Sequence, residues 1–347
     1  MLPTPSTSHV SYDLIYEPAE DSYLFLDTLS SASETAWLRS RFSSQQQRTD
    51  ETGPRTRRRR GRRKGAPLLV EIGPGSGVVV AFLTAHAETI FGSHVLSMSV
   101  DVNPHACLAT RTTVEKALAQ TKARTVETTT TTTTTTAEGQ VTNAPAPAPA
   151  PAPATGQCQD GTSSVYLSSL NGDLASPLRP SEVDVLIFNP PYVPTESVPV
   201  AATITTASAI TTGAVPLSSS SPPPPHSSSS RNLAVPSFEE QSKLLALSYA
   251  GGVDGMEVTR RLLLQVPDVL SHRGVAYVLF CRGNRPEEVK SWVRAWQQRP
   301  PPPGDVPGEG EEEAQWQWQW QWRAETVGTS GKTAGWEKLE IVRIWRE

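Results

Sequence analysis

The sequence predicts an α/β protein with a doubly wound, mostly parallel sheet and a closing antiparallel pair. Short apolar runs, Pro67 to Ile72 (PLLVEI), Val183 to Phe188 (VDVLIF) and Gly274 to Cys281 (GVAYVLFC), lack polar alternation, as strands covered on both faces do. Helical patterns fall between such runs, the order that winds helices over both sides of a parallel sheet. Near the end, Arg323 to Val327 and Lys338 to Trp345 (KLEIVRIW) look like an antiparallel pair.

Pro18 to Phe42 begins as an amphipathic helix. Pro18 suits the first turn, Glu20 and Asp21 complement the N-terminal dipole, and Tyr23, Leu24, Phe25 and Leu29 supply an apolar face. After the first strand, Val78 to His86 reads as a helix, His94 to Asp101 as the second strand, and Asn103 to Lys122 as a helix capped by Asn103 with Pro104 at its first position. Val165 to Ser168 is the third strand and Val183 to Phe188 the fourth. Helices follow near Phe238 to Tyr249 and Met256 to Ser271, then the fifth strand and a helix over Pro286 to Gln297. In such a sheet a ligand site lies beyond the carboxyl ends of the central strands.

At 347 residues two domains would be ordinary, but low-complexity stretches reduce the expectation to one. That domain has a core of about 12–345 and insertions near 43–66, 123–162, 196–236 and 299–322. A threonine run, an Ala-Pro alternation, a Ser-Pro tract, a Pro-then-acid tract and a Gln-Trp repeat cannot bury a core. In a strand, the repeat would put Trp316, Trp318, Trp320 and Trp322 on one face, as an aromatic interaction surface; otherwise it is a loop expansion. The net charge of −4 hides an asymmetry, because Arg55 to Lys64 (RTRRRRGRRK) holds eight basic residues and no acid. With those eight removed, 23 basic residues face 35 acidic ones, a poor balance for general nucleic-acid binding. The cluster itself reads as a solvated loop, a nuclear-import signal or a nucleic-acid patch. Three scattered cysteines, no signal-like N-terminus and no apolar run of spanning length imply a reducing, cytoplasmic setting, with the nucleus as an option. The six histidines show no metal-ligand spacing, so no metal is expected.

Three constellations fall at strand ends. Glu71-Ile-Gly73-Pro-Gly75-Ser-Gly77 follows the first strand; its glycines permit close backbone approach, and an acid before G-x-G-x-G suits the cationic amino-acid part of S-adenosylmethionine better than a pyrophosphate. Asp101 ends the second strand, where an acid accepts from both ribose hydroxyls of a nucleoside cofactor or caps the next helix. Asp173, with Leu174 beside it, can bond an adenine amino group or make a turn. Asn189-Pro190-Pro191-Tyr192 follows the fourth strand. An amide or aromatic amine has a delocalised lone pair, and methylating it requires that pair to be exposed and aimed. The Asn189 side-chain oxygen and the Pro190 carbonyl can hold its two N–H bonds, the prolines fix the backbone, and the Tyr192 ring packs on the planar group.

With Tyr16 to Ser22 (YEPAEDS), Glu71 to Val79, Asp101 to Pro104, Asn189 to Tyr192 and Ala250 to Gly252 followed by Asp254-Gly255, the chain resembles the eukaryotic HemK-like branch of glutamine N5-methyltransferases. The match runs from Tyr16 to Trp345 around the insertions. The resemblance implies a Rossmann-like S-adenosylmethionine-dependent methyltransferase fold, a target glutamine in the Gly-Gly-Gln loop of a class-1 translation release factor, and a small zinc-containing activating subunit as partner. It carries cofactor contacts to Ser22, Glu71, Gly73, Asp101, Asp173, Leu174 and Asn189, to which the glycine-loop argument adds Gly75, and substrate contacts to Asn189 through Tyr192. Ser22 stands where the branch more often has threonine and keeps the hydroxyl.

Adenine's exocyclic amine is also planar, so N6-adenine methylation of DNA or RNA is the main rival, opposed by the acidic core and the absence of a DNA-reading motif. A histone lysine is a further alternative, but an ammonium must first lose a proton and gains little from paired acceptors. A non-catalytic scaffold is opposed by the intact Glu71, Asp101 and Asn189.

Overall fold

The computed structural model describes residues 2–43, 65–132, 163–199, 236–296, 321–330 and 338–347. Most of the four expected insertions lies outside them, including the basic cluster, Cys158, and Trp316, Trp318 and Trp320. The elements are α1 (Glu20–Ser30), α2 (Ala32–Phe42), β1 (Leu68–Ile72), α3 (Val78–Ala85), α4 (Ala87–Phe91), β2 (Leu96–Asp101), α5 (Pro104–Thr132), β3 (Val165–Asn171), β4 (Val183–Phe188), α6 (Phe238–Tyr249), α7 (Glu257–Val269), β5 (Leu270–Cys281), α8 (Pro286–Arg294), β6 (Trp322–Thr329) and β7 (Leu339–Arg346). Among the described residues no helix is long and apolar enough to cross a membrane.

The strands form one sheet in the order β3-β2-β1-β4-β5-β7-β6. The pairings from β3 through β5 are parallel, and β7 runs antiparallel to both β5 and β6. This is the expected doubly wound sheet with its closing pair. Alternate residues of each strand serve opposite cores. Leu69, Val185, Ile187, Val275 and Tyr277 face Phe25, Phe42, Phe82 and Val114 of the first five helices. Val70, Leu186, Phe188 and Val278 face Leu262, Val266, Val289 and Val293 of α7 and α8. All six residues of β4 are buried, which is why its sequence shows no alternation.

Several boundaries differ from expectation, each for a local reason. The helix expected over Pro18 to Phe42 breaks at Ser31, whose ψ of 154° is extended and whose side chain accepts the Glu34 N–H at 3.3 Å to cap α2. Helix α4 was not anticipated; it is one short turn, ended by Gly92 in the left-handed region. Helix α5 continues past Lys122 to Thr132, since extending a formed helix costs far less than starting one. Strand β6 starts at Trp322, whose ring is buried 5.0 Å from that of Trp296, so the last tryptophan of the Gln-Trp repeat is a core residue.

The break at Ser31 lets α2 bring Glu34 under the sheet. Glu34 is buried and accepts from Arg343 Nη1 at 2.9 and 3.1 Å and from the Tyr277 hydroxyl at 2.8 Å. The Arg343 guanidinium stacks between Trp37 and Trp345, 4.2 and 4.6 Å from their ring centres. Removing Glu34 takes the buried partner from both Arg343 and Tyr277 and leaves Arg343 only the exposed Glu325, 3.1 Å from its Nη2, so Glu34→Ala should lower the unfolding free energy by about 3 kcal/mol. Urea unfolding checks this; a loss below about 1 kcal/mol would show that water reaches the site.

Candidate active site

The carboxyl ends of β1, β2 and β4 open onto a cavity of about 670 Å³, within the usual range for small-molecule sites. It lies where the strand order reverses between β1 and β4. Gly73, Gly75, Asp101, Asp173, Leu174, Asn189, Pro190, Pro191 and Ser22 all line it. Residues separated by up to 169 positions in sequence are thus brought to one space, and two expected residues, Glu71 and Tyr192, are not among its walls.

The floor comes from the turn after β1. Gly73 has φ 62°, and a side chain built there would meet nothing within 4 Å. The position therefore needs glycine for its backbone angle and leaves open space above it. Asp101 is 8 % exposed; one carboxylate oxygen accepts from Asn103 N–H at 2.8 Å and the other from Gly75 N–H at 3.3 Å. Asn103, not Asp101, caps α5, with its side-chain oxygen 2.9 Å from the His105 nitrogen. The Asp101 carboxylate is thus left at the cavity wall with acceptor capacity beyond its backbone bonds.

Glu71 points the other way. Its carboxylate is buried and accepts the Val80 N–H at 2.8 Å, an unpaired donor in the first turn of α3. Glu71, expected among the cofactor contacts, therefore does not line the cavity, because the strand's alternation turns that side chain toward the helix. Burial pushes the Glu71 pKa from 4.5 up to about 8, opposed by the Val80 hydrogen bond and assisted by the charge of Asp101. Burial likewise raises Asp101 from 3.8 to about 6, opposed by N–H bonds from Asn103, Gly75 and Val102.

Asp173 pairs with Arg261 of α7, and the Ala175 N–H donates to Gln265 of the same helix at 3.0 Å. These bonds fix the turn that carries Leu174, which has φ 51° and is buried. Opposite, Asn189 leaves β4 with its Oδ1 buried and without a hydrogen-bond partner among the described residues. Ser22 donates its N–H and hydroxyl to Asp21 Oδ1, at 2.6 and 3.3 Å. The Tyr192 ring packs at the edge of the first core instead of lining the cavity.

No family model matches the chain. Two curated proteins, methyltransferase HEMK2 of Homo sapiens and of Mus musculus, are each 26 % identical to it, over 82 % and 83 % of both chains. The Schizosaccharomyces pombe protein named eRF1 methyltransferase catalytic subunit mtq2 is 25 % identical over 82 % of this chain and 81 % of its own. The chain is similar to the HEMK2 methyltransferases. The resemblance read from the motifs is thereby borne out along most of the chain.

The cavity also has walls that the motif argument missed. Leu244, Leu247 and Ser248 of α6 lie along it with Val198, Pro199 and Arg261. The N-terminal segment adds Leu14, Ile15 and Tyr16, held in place where Asn103 Nδ2 donates to the Leu14 carbonyl at 2.8 Å. A helix near Phe238 to Tyr249 was legible, but not the surface it covers. Arg261 gave no signal, since an arginine on a helix is ordinarily solvated.

Both buried carboxyls hold protons in the folded chain that the unfolded chain has already released, so stability falls as pH rises from about 4.5 toward about 8. Glu71→Gln keeps an acceptor for Val80 and removes the titration. Urea unfolding at pH 5, 6.5 and 8 should show stability falling in the wild type and a clearly shallower fall above pH 6 in the variant. Equal slopes would remove Glu71 as the source.

Proposed function

We propose that the chain is an S-adenosylmethionine-dependent methyltransferase acting on the side-chain amide of a glutamine in the Gly-Gly-Gln loop of a translation release factor. The unsatisfied Asn189 Oδ1 is the observation that carries this reading. A buried acceptor without a donor is costly, and an NH₂ group at the cavity wall is what would complete it. Asn189 Oδ1 and the Pro190 carbonyl then hold the two N–H bonds of the target, so that the nitrogen lone pair faces the cavity. Pro190 and Pro191 restrict the backbone that carries both acceptors.

The residues fit the cofactor. Open space above Gly73 admits a ligand to the backbone, and the remaining acceptor capacity of Asp101 suits a ribose hydroxyl. Asp173, oriented by Arg261, and Leu174 stand where an adenine ring would be bounded. Glu71 acts from behind, by holding the N-terminus of α3 and hence the glycine turn. When bound, S-adenosylmethionine supplies an electrophilic methyl group on a sulfonium.

A small zinc-containing partner subunit completes the proposal. Strand β3 is an edge of the sheet, and Val165 and Leu167 on it are 46 % and 51 % exposed. An apolar edge with unpaired backbone groups is one that a partner strand would cover.

Methyl transfer from labelled cofactor to purified release factor, its Gln-to-Ala target variant and DNA, run side by side, tests the function. Label on the intact release factor alone is expected; label on DNA would transfer the reading to the adenine rival. Asp101→Ala should weaken cofactor binding by on the order of 10²-fold or more, since it removes charge-assisted hydrogen bonds of about 1.5–3 kcal/mol each. Calorimetric titration measures it, and unchanged affinity would remove Asp101 from the ribose. Asn189→Ala should lower kcat by on the order of 10²-fold at saturating cofactor, because a freely rotating amide is no longer aimed. Asn189→Asp keeps an acceptor and should retain more activity than alanine; wild-type turnover by Asn189→Ala would falsify the orientation mechanism.

A further inference from the structure

Two loops meet behind the acceptor pair, and their contact is made of main chain. Val193 N–H donates to the Tyr249 carbonyl at 3.0 Å, Gly251 N–H to the Val193 carbonyl at 2.8 Å, and Thr195 N–H to the Gly252 carbonyl at 3.0 Å. A side chain added at Gly255 would sit 2.0 Å from the Tyr192 carbonyl oxygen, and one at Gly251 would sit 2.6 Å from that of Pro191. Only glycine permits this approach, and Gly255 also has φ 65°. The loop following Asn189 is thus laid against the turn over Gly251 to Gly255.

Asn284 joins the two. It ends the short 3-10 turn after β5 and is 4 % exposed. Its Oδ1 accepts the Cys281 N–H at 2.9 Å, which anchors the amide to the end of the strand. Its Nδ2 faces three carbonyls: Asp254 at 3.0 Å, Tyr192 at 3.3 Å and Gly255 at 3.4 Å. The next residue, Arg285, has φ 52°, a region that side chains other than glycine rarely adopt, so the turn presenting Asn284 is held by its contacts. Asn284 is not among the residues that line the cavity.

We infer that Asn284 is a positioning residue for methyl transfer: its amide holds the Asn189–Tyr192 loop against the Gly251–Gly255 turn and so sets where the substrate acceptors stand. The inference rests on the role proposed for Asn189 and Pro190. A primary amide suits the position because it accepts from Cys281 and donates to the loop carbonyls at once; neither an acid nor an alkyl group does both.

Asn284→Ala and Asn284→Ser are compared with the full-length wild type in three measurements: cofactor affinity by calorimetry, kcat on release factor, and hydrogen exchange of the Val193 and Thr195 amides. Cofactor affinity should stay within about threefold, because Asp101 at the end of β2 and Gly73 in the turn after β1 make no hydrogen bond with Asn284. Turnover in Asn284→Ala should fall by on the order of 10²-fold, the cost of a misplacement of about 1 Å. Exchange at Val193 and Thr195 should rise at least tenfold while amides of β4 stay protected, with Asn284→Ser changed in the same direction and by less. Wild-type kcat with unchanged exchange would overturn the inference. So would loss of cofactor binding in both variants, since Asn284 would then be supporting the fold at large. The exchange measurement needs no substrate, so a wild type inactive on release factor would refute the proposed function and leave this test standing.

Discussion

Where the strand order reverses, between β1 and β4, the connections leave for opposite faces of the sheet: α3 and α5 pack on one side, α7 and α8 on the other. Among the described residues no crossover therefore bridges the gap above the carboxyl ends of these two strands. The cavity depends on that gap. The parallel register Ile72 to Phe188 sets Gly73 and Asn189 just beyond neighbouring strand ends, both on the cavity lining. The chemistry read at the ends of separate strands becomes one site because parallel pairing delivers all of those ends to the same edge.

Walls that the sheet does not provide come from segments remote in sequence. The N-terminal stretch crosses α5 and is tied by Asn103 to Leu14, while α6, opened by a full capping box between Ser237 and Glu240, supplies Leu244 and Leu247. Phe238, at the start of α6, is 86 % exposed, so this helix is anchored chiefly by the end that leads into the Gly251–Gly255 turn. Its buried residue is Leu244, and among the described residues the first turn has no buried side chain.

Much of this arrangement was legible in the sequence, because strands buried on both faces and glycine or acid residues at their ends leave local signatures. VDVLIF followed by Asn189 could scarcely be read otherwise, and the structure ends β4 at Phe188. What stayed hidden depended on direction or on distance. The position of Glu71 was visible, but not that its side chain turns toward Val80 and away from the ligand space. The break at Ser31 was encoded in Ser31-Ala32-Ser33-Glu34, a capping pattern, yet the continuous apolar spacing around it reads more strongly as one helix. Asn284 carried no signal at all. Its partners lie 30 and 92 residues away, and no local pattern reports a side chain whose role is to bridge loops.

The polar groups around the cavity are unevenly satisfied, and the unevenness has a direction. Asp101 and Glu71 each have backbone N–H partners, yet burial still drives both toward the protonated form. A cationic ligand beside Asp101 would reverse that tendency, since an opposite charge favours the ionised carboxylate. Among the described residues Asn189 Oδ1 has no partner, and an orphaned acceptor of this kind costs about 1–3 kcal/mol. Such a cost persists only where the surroundings prevent the side chain from turning to a protein donor. Here the constraint is the pair of prolines, the close approach of Gly255 to Tyr192 and the Asn284 amide behind them. A loop held in this way keeps the acceptor from a protein donor, and on the proposed function an NH₂ donor entering the cavity would recover that energy only in the orientation the loop dictates.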